Sequence, residues 1–107
     1  MVSNPSIKSS VFGKRLREAR LRYGIPQDKL GVMIGLDEGS SSARMSRYEN
    51  GVHEPPFQLV IKLAEILHVP TAYFYCGDDR LAELMRIYHL LPEDKRGGLF
   101  QFAVSMT

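Results

Sequence analysis

The stretch that most restricts what this chain can fold into runs from Gln27 to Gly51, QDKLGVMIGLDEGSSSARMSRYENG. Leu30, Met33 and Ile34 recur at i, i+3 and i+4, which is one face of a helix. Gly35 follows, a residue suited to the left-handed turn that closes a helix. Asp37-Glu38-Gly39-Ser40 is polar and rich in helix breakers, so a loop is expected there. Ser40 or Ser41 can cap a second helix. On that helix Met45 and Tyr48 share a face, and Arg44 and Arg47 stand three apart beside it. Asn50-Gly51 stops it. Two short helices joined by a turn admit two readings. One is a helix-turn-helix whose Arg-bearing second helix lies in a DNA groove. The other is a plain helical hairpin inside an all-α core, and spacing alone leaves both open.

The flanking sequence is helical as well. Phe12, Leu16, Ala19 and Tyr23 mark one buried face, with Lys14, Arg15, Arg17 and Arg22 largely off it and Gly24 as the stop. His53-Glu54-Pro55-Pro56 cannot continue a helix, because neighbouring prolines fix φ and remove donors. A helix over 57–67 then buries Val60, Leu63, Ala64 and Leu67, and Thr71 starts a short turn that offers Phe74 to the core. Gly77-Asp78 is the clearest internal boundary. Beyond it, a helix over 79–91 shows Leu81, Leu84, Met85, Tyr88 and Leu91, and a last segment over 93–106 holds Leu99, Phe100, Phe102, Ala103 and Met106. No strand pattern or repeat is present, so the fold class is all-α. The expected organisation is a loose N-terminal arm over 1–9, a helix-turn-helix domain over 10–76 and a helical tail over 77–107 whose apolar surplus points to a dimerisation segment, the alternative being that it folds back to complete the monomer core.

Composition narrows the function. A chain of 107 residues with 44% hydrophobic content suits one globular domain. No apolar run approaches a membrane span, and the start MVSNPSIKSSV lacks the pattern of a signal peptide. Cys76 is the only cysteine, which excludes an intramolecular disulfide and a cysteine zinc cluster. A cytoplasmic setting is the simplest fit. Residues 1–56 hold nine Lys/Arg against six Asp/Glu, while residues 57–107 hold five against six. A basic front half suits phosphate contact and a neutral tail suits an interaction segment.

An ordered set of residues resembles a known family. Gly13-x-x-Leu16-x-x-x-Arg20 is followed by Gln27-x-x-Leu30, Gly35, Ser46-x-Tyr48-Glu49-x-Gly51, Pro56 and Lys62-Leu63-Ala64-x-x-Leu67-x-Val69. Together they resemble the XRE family of bacterial and phage regulators, relatives of the lambda-type repressors and Cro, over about residues 11–76. The resemblance implies a five-helix lambda-repressor-like DNA-binding domain, here with a helical C-terminal extension. It implies that the third helix enters the major groove, with Met45 buried and Ser42, Ala43, Arg44 and Arg47 facing bases. Gln27 and Asn50 resemble the family's phosphate contacts, and Ser41 stands as a further DNA contact or as a helix cap. Arg20 and Glu49 take the positions of a structural ion pair between helices. Three departures stand out. About four extra residues sit near Asp37–Ser40, Gly31 replaces the usual Ala, and Pro26 replaces the usual Ser/Thr cap. The extra residues either lengthen the turn or add a turn of helix, which bears on the base-contact register.

Other chemistry is thinly supported. His53, His68 and His89 are far apart in sequence and lack a second ligand type at metal spacing. Tyr73-Phe74-Tyr75 reads as core and not as a stacking platform for bases. No nucleophile elbow, phosphate-cradling glycine loop or paired carboxylates appear, so no enzyme, cofactor, metal or small-molecule substrate is expected. The expected function is a sequence-specific DNA-binding transcriptional regulator, a repressor acting as a homodimer on double-stranded operator DNA. The alternative is an antitoxin-type module that neutralises a toxin partner, gripping it with the apolar tail.

Overall fold

The computed structural model describes residues 10–107, so the arm expected over 1–9 lies outside the described residues. Helix α1 spans Ser10–Arg22. Phe12, Leu16 and Ala19 are buried, as their spacing requires of a helix lying on a core. Tyr23 is not, which corrects the sequence reading. It falls just past the helix, stays 43% exposed and packs its ring on His68 with centroids 5.4 Å apart. The buried face instead takes in Arg15, three residues after Phe12 and four before Ala19, at 2% exposure. Arg15 is buried because every end of its guanidinium is matched. Nε donates to the Cys76 carbonyl at 2.8 Å, Nη1 to Glu18 at 3.0 Å and Nη2 to Asp79 at 2.9 Å. Burial opposes the charge, but the bonds to Asp79 and Glu18 outweigh it and hold the pKa above its ordinary value.

Helix α2 spans Gln27–Met33, α3 spans Ser41–Glu49 and α4 spans Phe57–Leu67. A 3-10 helix follows over Thr71–Tyr75. Pro56 and Pro70 precede α4 and the 3-10 helix with extended backbone, which is how X-Pro sequences end one element and start the next. Val60, Leu63, Ala64 and Leu67 line the inner face of α4, and the 3-10 helix inserts Tyr73 and Phe74. The Phe74 ring meets that of Phe12 at 5.2 Å, tying this fifth element back to α1. The core joins all five elements through Leu16, Leu30, Met45, Leu63 and Phe74. Each such side chain contributes about 1.5–3 kcal/mol by leaving water.

Two further helices form the tail, α5 over Asp79–Leu90 and α6 over Glu93–Ser105. Asp78 caps α5 by accepting from the Leu81 N–H at 2.9 Å. Pro92 breaks the chain between them, and Arg96 closes the hairpin by donating to the Tyr88 and His89 carbonyls, both at 3.1 Å. Among the described residues there is no strand, so the chain is an all-α, five-helix body with a helical extension. The extension meets the core only through Ala82 and the half-buried Met85 of α5. Ala82 is its one buried residue and α6 has none. The radius of gyration, 15.6 Å, accordingly exceeds the ~13 Å of a compact chain this long.

Candidate nucleic-acid interface

The two helices of the motif meet because α2 ends sharply. Gly35 adopts φ +98°, which a side chain would strain. Its N–H donates to the Val32 carbonyl at 2.9 Å while that of Leu36 donates to Gly31 at 2.9 Å, the paired closure of a left-handed helix end. Ile34 and Leu36 then turn into the core. Met33, expected on the inner face, is 54% exposed, because the buried side of α2 is made by Leu30 and Gly31.

The four extra residues lengthen the turn and add no helix. Asp37 organises them, its carboxylate accepting from the Gly39 N–H at 3.2 Å and its carbonyl from the Ser40 N–H at 3.0 Å. Ser40 occupies the N-cap of α3 without a side-chain cap. Its hydroxyl turns back to the Asp37 carbonyl at 3.4 Å.

Ser41 needs correcting as a DNA contact. It is wholly buried, and its hydroxyl donates to the Asp28 carbonyl at 2.7 Å, bonding α3 to α2. The same contact explains Gly31. A Cβ there would stand 1.9 Å from Ser41 Oγ and 3.0 Å from Met45 Cγ, so the serine takes the space an alanine would need.

With Ser41, Met45, Tyr48 and Glu49 turned inward, Ser42, Ala43, Arg44 and Arg47 are left exposed along the other side of α3. Arg44 Nη2 donates to the Tyr48 hydroxyl at 3.3 Å, which leans the guanidinium along the helix. Asn50, just past the helix, is exposed and donates to the Ser46 hydroxyl at 3.3 Å. Beyond α3 a depression of about 330 Å³ is lined by Arg44, Arg47, Tyr48, His53, Glu54 and Pro56. Its basic side chains adjoin the exposed face.

Glu49 ties α1, α2 and α3 together. Arg20 Nε donates to its Oε2 at 2.5 Å and Nη2 to Oε1 at 3.1 Å, a two-point grip that fixes the planes of both groups. Arg20 Nη1 also donates to the Ile25 carbonyl at 3.0 Å. Gln27, named from sequence as a phosphate contact, donates to Glu49 Oε1 at 3.1 Å and is half-buried. Arg17 reads from the sequence only as a residue largely off the buried stripe of α1. Its Nη1 lies 3.9 Å from the same Oε1 while the side chain stays 61% exposed. Since Arg20 already neutralises Glu49, Arg17 adds a positive charge beside Gln27. Its position three residues before Arg20 was the signal available in the sequence. Among the described residues no group of His, Cys, Asp and Glu is placed to hold a metal ion. No helix among them is long and apolar enough to cross a membrane.

Comparison with known proteins agrees with this geometry. A crystal structure of the transcriptional regulator BswR superposes with a TM-score of 0.83 at 42% identity, covering 87% of this chain and 92% of that one. Uncharacterized HTH-type transcriptional regulators of Sinorhizobium medicae (strain WSM419) and Rhizobium meliloti (strain 1021) are each 29% identical over 63 residues. Those 63 residues are 59% of this chain, which spans only 42% of the length of these two relatives. The helix-turn-helix family profile matches residues 16–74, from the buried face of α1 to the 3-10 helix. The chain therefore belongs to the XRE-type helix-turn-helix family of transcriptional regulators.

Proposed function

We propose that this protein represses transcription by binding operator DNA as a homodimer, reading bases with the exposed side of α3. The observation behind this reading is the division of α3 itself. Its inward side is fixed by Ser41, Met45 and Glu49, while Ser42, Ala43, Arg44 and Arg47 face outward as one patch. Such a helix can enter a major groove without disturbing the core. Arg47 and Arg44 are the candidates for guanine edges, where a two-point arginine contact discriminates by about 1–3 kcal/mol. Gln27 and Asn50 flank this patch as phosphate contacts, which position the protein without reading sequence. Repression would follow from occupancy of the operator in the cytoplasm.

Residues 10–76 would act as the DNA-binding unit and 77–107 as the dimerisation segment. The tail supports this division through what it leaves uncovered. Leu81, Leu84, Tyr88, Phe100, Phe102 and Met106 are all exposed. An apolar groove of about 290 Å³ lies between the two tail helices and Pro70 of the body. Apolar surface gathered in this way marks an interaction site, and a two-fold dimer applies one patch to its own copy.

Selection of bound sequences from a random duplex pool tests the reading. It should return a motif with two inverted half-sites about 34 Å apart, one helical turn. Recovery of no motif would refute it. Sedimentation of Phe100→Glu tests the tail separately: the substitution should leave a folded monomer, and a dimer of unchanged affinity would move the interface elsewhere.

A further inference from the structure

Arg15 is a cation buried in the body of the domain, yet two of its three partners belong to the junction with the tail. Cys76, Gly77 and Asp78 form a short non-helical linker between the 3-10 helix and α5. Its backbone is extended at both ends, with φ −92°, ψ 115° at Cys76 and φ −85°, ψ 117° at Asp78. A linker of this kind, containing a glycine, swings easily when nothing holds it. Arg15 holds it at both ends. Nε grips the Cys76 carbonyl at 2.8 Å, and Nη2 grips Asp79 Oδ1, on the first residue of α5, at 2.9 Å. The third side of the guanidinium is braced by Glu18, which also accepts from the Tyr73 hydroxyl at 3.3 Å. Two weaker straps run the same way: Lys14 to Asp79 at 3.1 Å and Arg22 to Glu83 at 3.9 Å. Apolar contact between tail and body is narrow, made by Ala82 and the half-buried Met85 on one side of α5, so these directional bonds add the constraint on its angle.

We propose that Arg15 is a positioning residue: by bracketing the Cys76–Asp78 linker from α1, it fixes the angle of the tail to the DNA-binding body and so sets the spacing of half-sites the dimer accepts. The inference rests on the dimer reading above. In a tail-joined dimer the separation of the two α3 helices depends on the angle at each linker. A rigid joint presents both helices at one separation. A loose joint lets the same dimer reach several.

The test uses the full chain with the half-site obtained by selection. Duplexes carry that half-site singly, or as inverted pairs at the selected spacing and at spacings one and two base pairs shorter and longer. Arg15→Met removes all three grips, and Asp79→Ala removes the outer one, together with the Lys14 strap, at an exposed side chain, keeping the test open if Arg15→Met does not fold. The wild type should favour one spacing over its two-base-pair neighbours by about tenfold or more. Both variants should remain dimers, bind the single half-site as the wild type does, and lose most of that preference. Asp79→Ala with an unchanged spacing profile would overturn the proposal, because a merely structural Arg15 changes stability and not spacing. A wild type that is monomeric, or that binds pairs at every spacing equally, would instead refute the dimer reading and this inference with it.

Discussion

Removing the Glu49 carboxylate should cost this fold a large part of its stability. In Glu49→Ala the loss falls on Arg20. The two side chains are 3% and 9% exposed, so neither charge is well hydrated. Arg20 would keep one hydrogen bond, to the Ile25 carbonyl, and lose both of those made to the carboxylate. Gln27 also loses its acceptor, but it is half-buried and can turn to water. Breaking a buried pair from one side costs about 3–5 kcal/mol, because the remaining charge stays buried without its partner. Since the pair lies near the surface edge of three helices, some water can reach the hole, and about 3 kcal/mol is the better expectation. For a domain of this size that lowers the melting midpoint by roughly 12–20 °C. Thermal unfolding of Glu49→Ala and of Arg20→Met/Glu49→Leu measures it. The double variant should regain much of the loss, because an apolar pair leaves no buried charge. A loss in Glu49→Ala below about 1 kcal/mol, the range of an exposed pair, would refute the reasoning.

Ser41→Ala should destabilise by about 1 kcal/mol through loss of the bond to Asp28, and Gly31→Ala by about 1–3 kcal/mol through overlap with Ser41 Oγ. Denaturant melts of the double variant should show less than the sum, since removing the hydroxyl makes room for the methyl; strict additivity would mean the two residues do not compete for space. Hydrogen bonds from Arg15 and Lys14 hold the Asp79 carboxyl below its usual pKa range. The stabilisation this gives is therefore full above the ordinary carboxylate pKa, near pH 4, and is lost as pH falls from there through the lowered folded-state value. The stability gap between wild type and Asp79→Ala should thus be constant around neutrality and close in acid, and a gap that widens in acid would contradict the assignment.

Legibility in the sequence followed apolar spacing. The α4 stripe of Val60, Leu63, Ala64 and Leu67 is buried as its spacing requires, and its helix spans Phe57–Leu67 as read from prolines and periodicity. On α3, Met45 faces inward and Ser42, Ala43, Arg44 and Arg47 outward, despite the longer turn. The turn did not disturb that register because Asp37 closes it on itself before α3 begins. Spacing misled where burial depends on a partner distant in sequence. Arg15 reads from the sequence as lying largely off the α1 stripe; Cys76 and Asp79, more than sixty residues on, make its burial possible. Ser41 was one of two equal cap candidates until the Asp28 carbonyl drew its hydroxyl inward. Met33 lost its expected place because α2 ends there and the close approach of α3 needs Gly31. The apolar surplus of the tail was legible, and Leu81, Leu84, Tyr88, Phe100, Phe102 and Met106 are exposed as that surplus implies, but periodicity marks an apolar face without saying what covers it.

The central claim is that the exposed side of α3 reads base sequence, and the direct measurement is the ratio of affinities for the selected site and its one-base variants at fixed salt. Wild type, Arg47→Ala and Gln27→Ala should be compared on the same duplexes. Loss of a base contact should shrink the ratio at one position, by about 1–3 kcal/mol in Arg47→Ala. Loss of a phosphate contact should weaken binding to every duplex alike in Gln27→Ala and leave the salt dependence unchanged, because a neutral amide displaces no counterion. If Arg47→Ala lowers affinity for all duplexes by one common factor, Arg47 touches the backbone and the α3 face does not read sequence as described.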